Sequence, residues 1–260
     1  MSVLTITTDF GGPSGAMKGV IWGISPETHI ADLSWGIKPQ NLLEAAFVLD
    51  RQVYFFPENT VHVVVVDPGV GTNRRPLAAK IGPYFYVAPD NGVLTPMYQQ
   101  ARQKGWEIKV VHTNKPEYWL PRVSNIFHGR DIFAPVGAHL AAGVALEDLG
   151  EVIDDPVLID LPVPQKSATG VSGIIAHIYD HFGNIITNIK REDLAGYEDV
   201  NVSLCGITIE GLVNTFGERP VGTLVALYDA NDHLYVSVVN GSAAKRIHAN
   251  IGDAVEVAPR

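Results

Sequence analysis

Residues 61–66 read Val-His-Val-Val-Val-Val, and this run constrains the fold more than any other segment. A strand with one wet face alternates apolar and polar residues. A run without alternation suits a strand covered on both faces, as in parallel sheets flanked by helices. His62 is the lone interruption, near the entry end. The run continues into Asp67-Pro68-Gly69-Val70-Gly71-Thr72-Asn73-Arg74. An acid and a guanidinium thus follow a buried strand, at the edge where open α/β sheets bind ligands.

The rest of the first half supports the same class. Strands are expected at Val3–Thr7, Thr28–Leu33, Leu77–Ile81 and Tyr84–Ala88, the last pair split by Gly82-Pro83. Helical spacing covers Ala16–Ile24, Pro39–Arg51, Gly92–Gln103 and Asp131–Ala142. Alternating strands and helices predict an α/β N-terminal domain with a mainly parallel central sheet. Residues 151–170 hold Pro156, Pro162 and Pro164 among acids and glycine, and read as a turn-rich join. Beyond it come short β segments separated by Gly, Asn and Asp turns: Gly173–Tyr179, Asn184–Ile189, Val200–Leu204, Leu224–Tyr228 and Leu234–Val239. They predict a smaller, β-rich, barrel-like C-terminal domain. The expected division is 1–164 and 165–260.

Composition narrows the function classes. Hydrophobic residues make up 46% and charged residues 18% of the chain, enough apolar matter for packed cores. The net charge is −9 and no Lys/Arg run occurs, which argues against nucleic acid and suits a cationic small molecule. Cys205, the single cysteine, excludes an internal disulfide and is expected to be a buried, inert thiol. No segment reads as a secretory signal or a membrane span, so a soluble cytoplasmic protein is expected.

Several motifs mislead. Asp9-Phe10-Gly11 and His128-Gly129-Arg130-Asp131 look like kinase elements in the wrong order. Gly69-Val70-Gly71-Thr72-Asn73-Arg74 starts like a dinucleotide fingerprint but carries Arg74 at the third glycine. His177 and His181 have a helical metal-ligand spacing inside a strand-like context, so no metal is expected.

The surviving strings are Thr7-Thr8-Asp9-Phe10-Gly11, Asp67–Arg74, Ala88-Pro89-Asp90-Asn91-Gly92-Val93-Leu94-Thr95 and Phe127-His128-Gly129-Arg130-Asp131-Ile132-Phe133-Ala134-Pro135. Tyr179-Asp180-His181-Phe182-Gly183-Asn184-Ile185-Ile186-Thr187-Asn188 and Val239-Asn240-Gly241-Ser242-Ala243-Ala244 join them. In this order they resemble the S-adenosylmethionine (SAM) hydroxide adenosyltransferases, the adenosine-forming SAM hydrolases related to fluorinase and chlorinase. The resemblance covers nearly the whole chain.

It implies that SAM is split by water or hydroxide at ribose C5′ into adenosine and methionine, with no cofactor and no metal. The family's polar triad maps onto Asp67, Arg74 and His128. Asp67 is also expected near the ribose. The neighbouring Arg75 is an alternative guanidinium, and a mere turn-stabilising Asp–Arg pair is the plainer reading of the first two residues. Asp9 matches a carboxylate for the ribose diol, whose hydroxyl hydrogens suit its two oxygens; otherwise it caps the next helix. Phe182 and Phe216 resemble adenine-stacking positions, though a core role is the ordinary one for such residues. Asn184 matches a residue reading the purine edge, and Asp180, Tyr228, Asn231, Asn240 and Ser242 fall in substrate-binding stretches.

Halide-using relatives carry Tyr in place of Asp67 and Tyr-Ser in place of His128-Gly129, which favours water over fluoride or chloride here. The chain departs from the family in a shorter 12–15 connection, in Trp35, and in Gln40, a position aromatic in fluorinase. The resemblance also implies a homotrimer with sites at subunit interfaces. The competing readings are a halide-dependent SAM adenosyltransferase and a non-catalytic SAM or adenosine sensor.

Overall fold

The computed structural model describes residues 2–179 and 181–260. The chain divides into two compact units, Met1–Leu161 and Pro162–Arg260.

In the first unit a seven-stranded sheet has the order β2-β1-β3-β5-β4-β6-β7. Its strands are β1 (Val3–Thr8), β2 (His29–Ser34), β3 (Val61–Val65), β4 (Pro76–Ile81), β5 (Tyr84–Pro89), β6 (Ile108–His112) and β7 (Glu151–Ile153). The apolar run becomes β3, buried at every position. Val64 and Val66 enter one core with α2 (Leu42–Gln52) and α3 (Thr95–Lys104). Val61, Val63 and Val65 enter another with α1 (Gly15–Ile24) and α4 (Ala134–Ala141). Successive side chains point to opposite faces, so a strand between two helical layers must be apolar throughout. Each fully buried valine contributes roughly 1.5–3 kcal/mol.

Only half of the sheet is parallel. β2, β1, β3 and β5 run together, while β4, β6 and β7 pair antiparallel. The expectation of a mainly parallel sheet thus holds for the β2-β1-β3-β5 block, and the sheet as a whole is mixed. The reason lies in Gly82-Pro83, since so short a link joins only antiparallel neighbours. β6 and β7 were not anticipated, and β7 occupies the start of the segment read as a linker. α2 begins later than expected because Asn41, not the region of Pro39, caps it: its side chain accepts the Glu44 N–H. The first residues of the expected 131–142 helix belong instead to a π turn, Gly129–Phe133, that leads into α4.

The second unit is an eight-stranded antiparallel sheet, nearly closed into a barrel. Its strands are β8 (Gln165–Ser167), β9 (Gly170–Ile178), β10 (Ile185–Lys190), β11 (Val200–Leu204), β12 (Ile207–Glu210), β13 (Leu224–Tyr228), β14 (His233–Val238) and β15 (Ala254–Pro259). The path is β12-β11-β15-β9-β10-β14-β13, with β8 on β9. Near the open seam, Val213 N–H just past β12 donates to Ala226 O in β13, 2.9 Å. Burial alternates along β11 and β15, as one dry face requires. A short helix, α5 (Ala243–Ile247), starts at Ser242, whose side chain accepts the Lys245 N–H.

Cys205 is exposed rather than buried. It sits with Gly206 in the β11–β12 turn, both at positive φ (49° and 74°), a conformation that two-residue hairpins demand. The turn points the residue away from the barrel core. Its thiol pKa is raised, by partial burial and by Asp253.

Candidate active site

The carboxyl ends of β1, β2 and β3 are level with one another. Thr8 lies opposite Val65, and Thr7 opposite Ser34. The residues that follow, Asp9, Trp35 and Asp67, therefore leave the sheet along one edge. After Asp67 the chain makes successive turns, with Val70 N–H donating to Asp67 O and Thr72 N–H to Gly69 O. They return Arg74 to the acid that began the loop.

The Arg74–Asp67 contact has two prongs. Arg74 Nε lies 3.0 Å from both Asp67 oxygens and Nη2 lies 2.5 Å from Oδ2. Both side chains are almost completely buried, at 9% and 6% exposure, so the pair is shielded from the water that weakens surface ion pairs. The guanidinium also lies over the Phe133 ring, 5.0 Å from its centroid. Arg74 Nη2 reaches His128 Nδ1 at 2.7 Å. A guanidinium only donates, so Nδ1 must be the acceptor and the neutral ring carries its proton at Nε2. Burial and then the Arg74 charge lower the His128 pKa, against opposing effects of Asp67, the Ser124 backbone and Asp131.

His128 reaches this point through close packing of its loop. A Cβ on Gly129 would lie 3.3 Å from both Phe10 Cζ and Val65 Cγ1, so glycine lets the turn rest against the strand ends. Phe10 meets Phe127 edge-on at 5.6 Å, joining the Asp9 and His128 loops.

Arg74 thus touches both Asp67 and His128 and is the guanidinium that joins them. Arg75 turns the other way, onto Asp90 (2.7 Å) and Asp155 (2.8 Å). The Asp90–Thr95 string is scaffold: Asn91 Nδ2 donates to Val66 O at 2.9 Å, pinning the residue before Asp67. Asp9 does not cap α1, since Ser14 does. Its Oδ2 accepts the backbone N–H of Gln40 at 2.8 Å, a residue held at positive φ of 64°.

The C-terminal candidates fall into two groups. Asn184 Oδ1 accepts from Ser237 Oγ at 2.5 Å, and Phe216 meets Tyr235 with ring centroids 6.4 Å apart. Tyr235 and Ser237 are alternate residues of β14, so Asn184 and Phe216 share one sheet face. Gly183, at φ 68°, packs so tightly on Ser242 that a Cβ there would lie 1.8 Å from its Oγ. This carries Phe182 and Asn184 to the loop of Asn240 and Ser242. Phe182 is 62% exposed and Phe216 41%, so neither is a core residue.

Tyr228 and Asn231 lie elsewhere. Tyr228 pairs with Leu234 while Leu224 pairs with Val238, so Tyr228 ends β13 far from the Ser237 side. Both line a separate cavity of about 760 Å³ with Lys190, Arg191, Tyr197 and Asp232. The substrate-binding candidates thus fall in two places, because β13 and β14 each span the barrel wall. Asp180 lies outside the described residues. Among the described residues no group of His, Cys, Asp or Glu is arranged to hold a metal, and His177 instead meets Tyr179 edge-on at 5.0 Å. No described helix is long and apolar enough to cross a membrane. Sequence reasoning gave no role to Ser124 or to Asp131, whose carboxylate accepts the Ser124 N–H at 2.8 Å; the only available signal was Asp131's place in the His-Gly-Arg-Asp string.

The chain matches the family models for the SAM hydroxide adenosyltransferase N-terminal domain over residues 4–150 and C-terminal domain over 173–256. It is 34% identical over 273 residues to the (R)-S-adenosyl-L-methionine hydrolase of Salinispora tropica, covering 98% of this chain and 97% of the relative. It is 28% identical over 221 residues to a fluorinase of an Actinoplanes species, covering 74% and 73%. A crystal structure of an uncharacterised conserved protein from Thermotoga maritima superimposes with a TM-score of 0.90 at 32% identity, over 98% of this chain and 99% of the other. With both halves matched in order and a solved relative sharing the fold end to end, the chain belongs to the SAM hydroxide adenosyltransferase family.

Proposed function

We infer that this protein is an enzyme that hydrolyses S-adenosyl-L-methionine, giving adenosine and L-methionine. The observation that carries the reading is the contact of Asp67, Arg74 and His128 at the strand ends. An oxygen attacks ribose C5′ in line with the sulfonium. The C5′–S bond breaks, its electron pair stays on sulfur, and methionine leaves as a neutral thioether. The leaving group needs no acid, so the protein's task is to prepare the nucleophile. Bulk water has a pKa of about 15.7 and attacks poorly.

Arg74, fixed by both Asp67 oxygens, stabilises hydroxide-like charge on the attacking oxygen. His128 is neutral, accepts at Nδ1 and carries a proton at Nε2. Nδ1 is the ring's one basic site, so the water takes the place of the Arg74 N–H there. It passes its proton to Nδ1 as it attacks C5′, after which the ring releases a proton from Nε2. The balance is SAM plus water to adenosine, methionine and a proton, and it calls on no cofactor.

Asp9, with Asp67 nearby on the same edge, receives the ribose hydroxyls. The adenine end is assigned to Phe182, Asn184, Phe216, Asn240 and Ser242; Tyr228 and Asn231 are left out of this set. The proposal also takes up the homotrimer that the resemblance implies, with subunits combining to complete each site. An exposed, unpaired thiol suits the reducing cytoplasm.

The test is incubation of purified protein with SAM and chromatography of the products. Adenosine and methionine in equal amounts are expected. A 5′-halo-adenosine formed only with added chloride or fluoride would establish the halide transferase instead, and stoichiometric binding without product would establish a sensor. A monomer with full activity in sizing experiments would remove the shared site.

A further inference from the structure

Asp131 is fully buried, at 0% exposure. An interior carboxylate persists only if its oxygens are satisfied, and its partners all belong to the segment that presents His128. Oδ2 accepts the Ser124 N–H at 2.8 Å and Oδ1 accepts Arg130 Nε at 2.6 Å. Its backbone adds two contacts: the carbonyl accepts the Leu120 N–H at 2.9 Å, and its own N–H donates to Phe127 O at 3.2 Å. Ser124 in turn uses Oγ to accept the Phe127 N–H at 3.0 Å. The residues between Leu120 and Phe127 are therefore laced onto the π turn immediately after His128. Such turns carry one residue more than an α-helix accommodates and depend on local contacts to persist.

We propose that Asp131 is a positioning residue: its carboxylate clamps the 120–127 loop to the π turn and thereby holds His128 Nδ1 against Arg74. This rests on the reading in which His128 serves the hydrolysis. The acid is held in its charged form. Burial alone would raise its pKa, but Arg130 and the Ser124 N–H and hydroxyl outweigh burial and leave it lowered. The charged groups acting on the imidazole are Arg74, which favours its neutral form, and Asp67 and Asp131, which favour the protonated form.

Two effects follow for Asp131→Asn. Releasing the loop should misplace His128, and a shift of about 1 Å at a catalytic group costs on the order of 100-fold in rate; kcat should fall by that order with KM unchanged. Loss of the Arg74 contact should also let the imidazole pKa rise, moving the acidic limb of the kcat pH profile to higher pH against the smaller opposite effect of the lost Asp131 charge. A purely structural role would lower the folded fraction without raising that limb. Arg130→Gln, at a residue whose side chain is 37% exposed, weakens the same clamp without emptying the core. It should lower kcat about tenfold with KM unchanged, and so tests the proposal even if Asp131→Asn does not fold. Wild-type kcat in Arg130→Gln, or an acidic limb that fails to rise in folded Asp131→Asn, overturns the clamp. His128→Ala separates the two claims. If it keeps full activity, the function assigned to His128 fails; if it is inactive while Asp131→Asn is normal, only the positioning role fails.

Discussion

β3 and β15 answer the same problem in opposite ways. β3 is buried on both faces and ends in a charged cluster, whereas β15 alternates buried and exposed residues around a single core. The difference extends to the candidate sites. The N-terminal cluster is held by short contacts among buried charges, preorganised before any ligand arrives. The C-terminal candidates are exposed aromatic rings and an amide held by one hydroxyl. Rigid charged groups suit chemistry on a bond; exposed rings suit recognition of a flat base.

The sharpest way to break this contrast is to remove the N-terminal charges. Asp67→Ala, Arg74→Ala and His128→Ala should each lower kcat by roughly 10²–10⁴-fold with an unchanged circular dichroism spectrum. Arg74→Lys should not rescue, because an ammonium cannot reproduce the two-pronged contact. In the wild type, activity requires neutral His128, whose pKa is lowered by burial and Arg74. The acidic limb of kcat/KM should therefore lie below the ordinary histidine value of about 6.5.

A second effect belongs to the N-terminal core. His62 accepts or donates at Nδ1 to Thr5 Oγ1, 2.8 Å away, and sits among the rings of Phe56, Tyr84 and Tyr86. Burial lowers its pKa from 6.5 to about 3. The folded state thus resists a proton that the unfolded chain takes up. The neutral ring costs nothing above pH 6.5, and stability is lost as pH falls from there towards 3. Between pH 7 and pH 5 the loss should be about 2 kcal/mol, measured by urea unfolding, and His62→Phe should flatten that slope.

Smaller changes are expected in the barrel. Phe182→Ala and Phe216→Ala should each raise KM about tenfold at nearly constant kcat, since loss of base stacking costs roughly 1–3 kcal/mol. A fall in kcat with KM unchanged would move these rings from recognition to chemistry. The smallest effect should come from Tyr228→Phe and Asn231→Ala, with steady-state constants within about twofold of wild type. A large KM change there would return the second cavity to the substrate site.

How far the sequence was legible follows from the range of the interactions. The β3 run announced itself because apolar continuity is a local consequence of burial on two faces. The Asp67–Arg74 pair was visible because a single loop joins its members. β6 was missed because Ile108-Lys109-Val110-Val111-His112 is short and ambiguous by itself, and becomes a strand by pairing with β4. Cys205 was misjudged because an apolar neighbourhood in sequence says nothing about a turn's direction. The resemblance places Tyr228 and Asn231 with Asn240 and Ser242 in substrate-binding stretches, but a resemblance in sequence does not carry the path of the chain, and β14 separates the two pairs along the barrel wall.

By itself, the sequence determined the two kinds of architecture, the family and the chemical types at the strand ends, since these follow from local pattern and ordered motifs. Only the tertiary structure decided which arginine meets Asp67, which nitrogen of His128 accepts, and that Asp131 lies buried beneath its loop. Those choices depend on distances between segments far apart in the chain, and no local pattern encodes a distance.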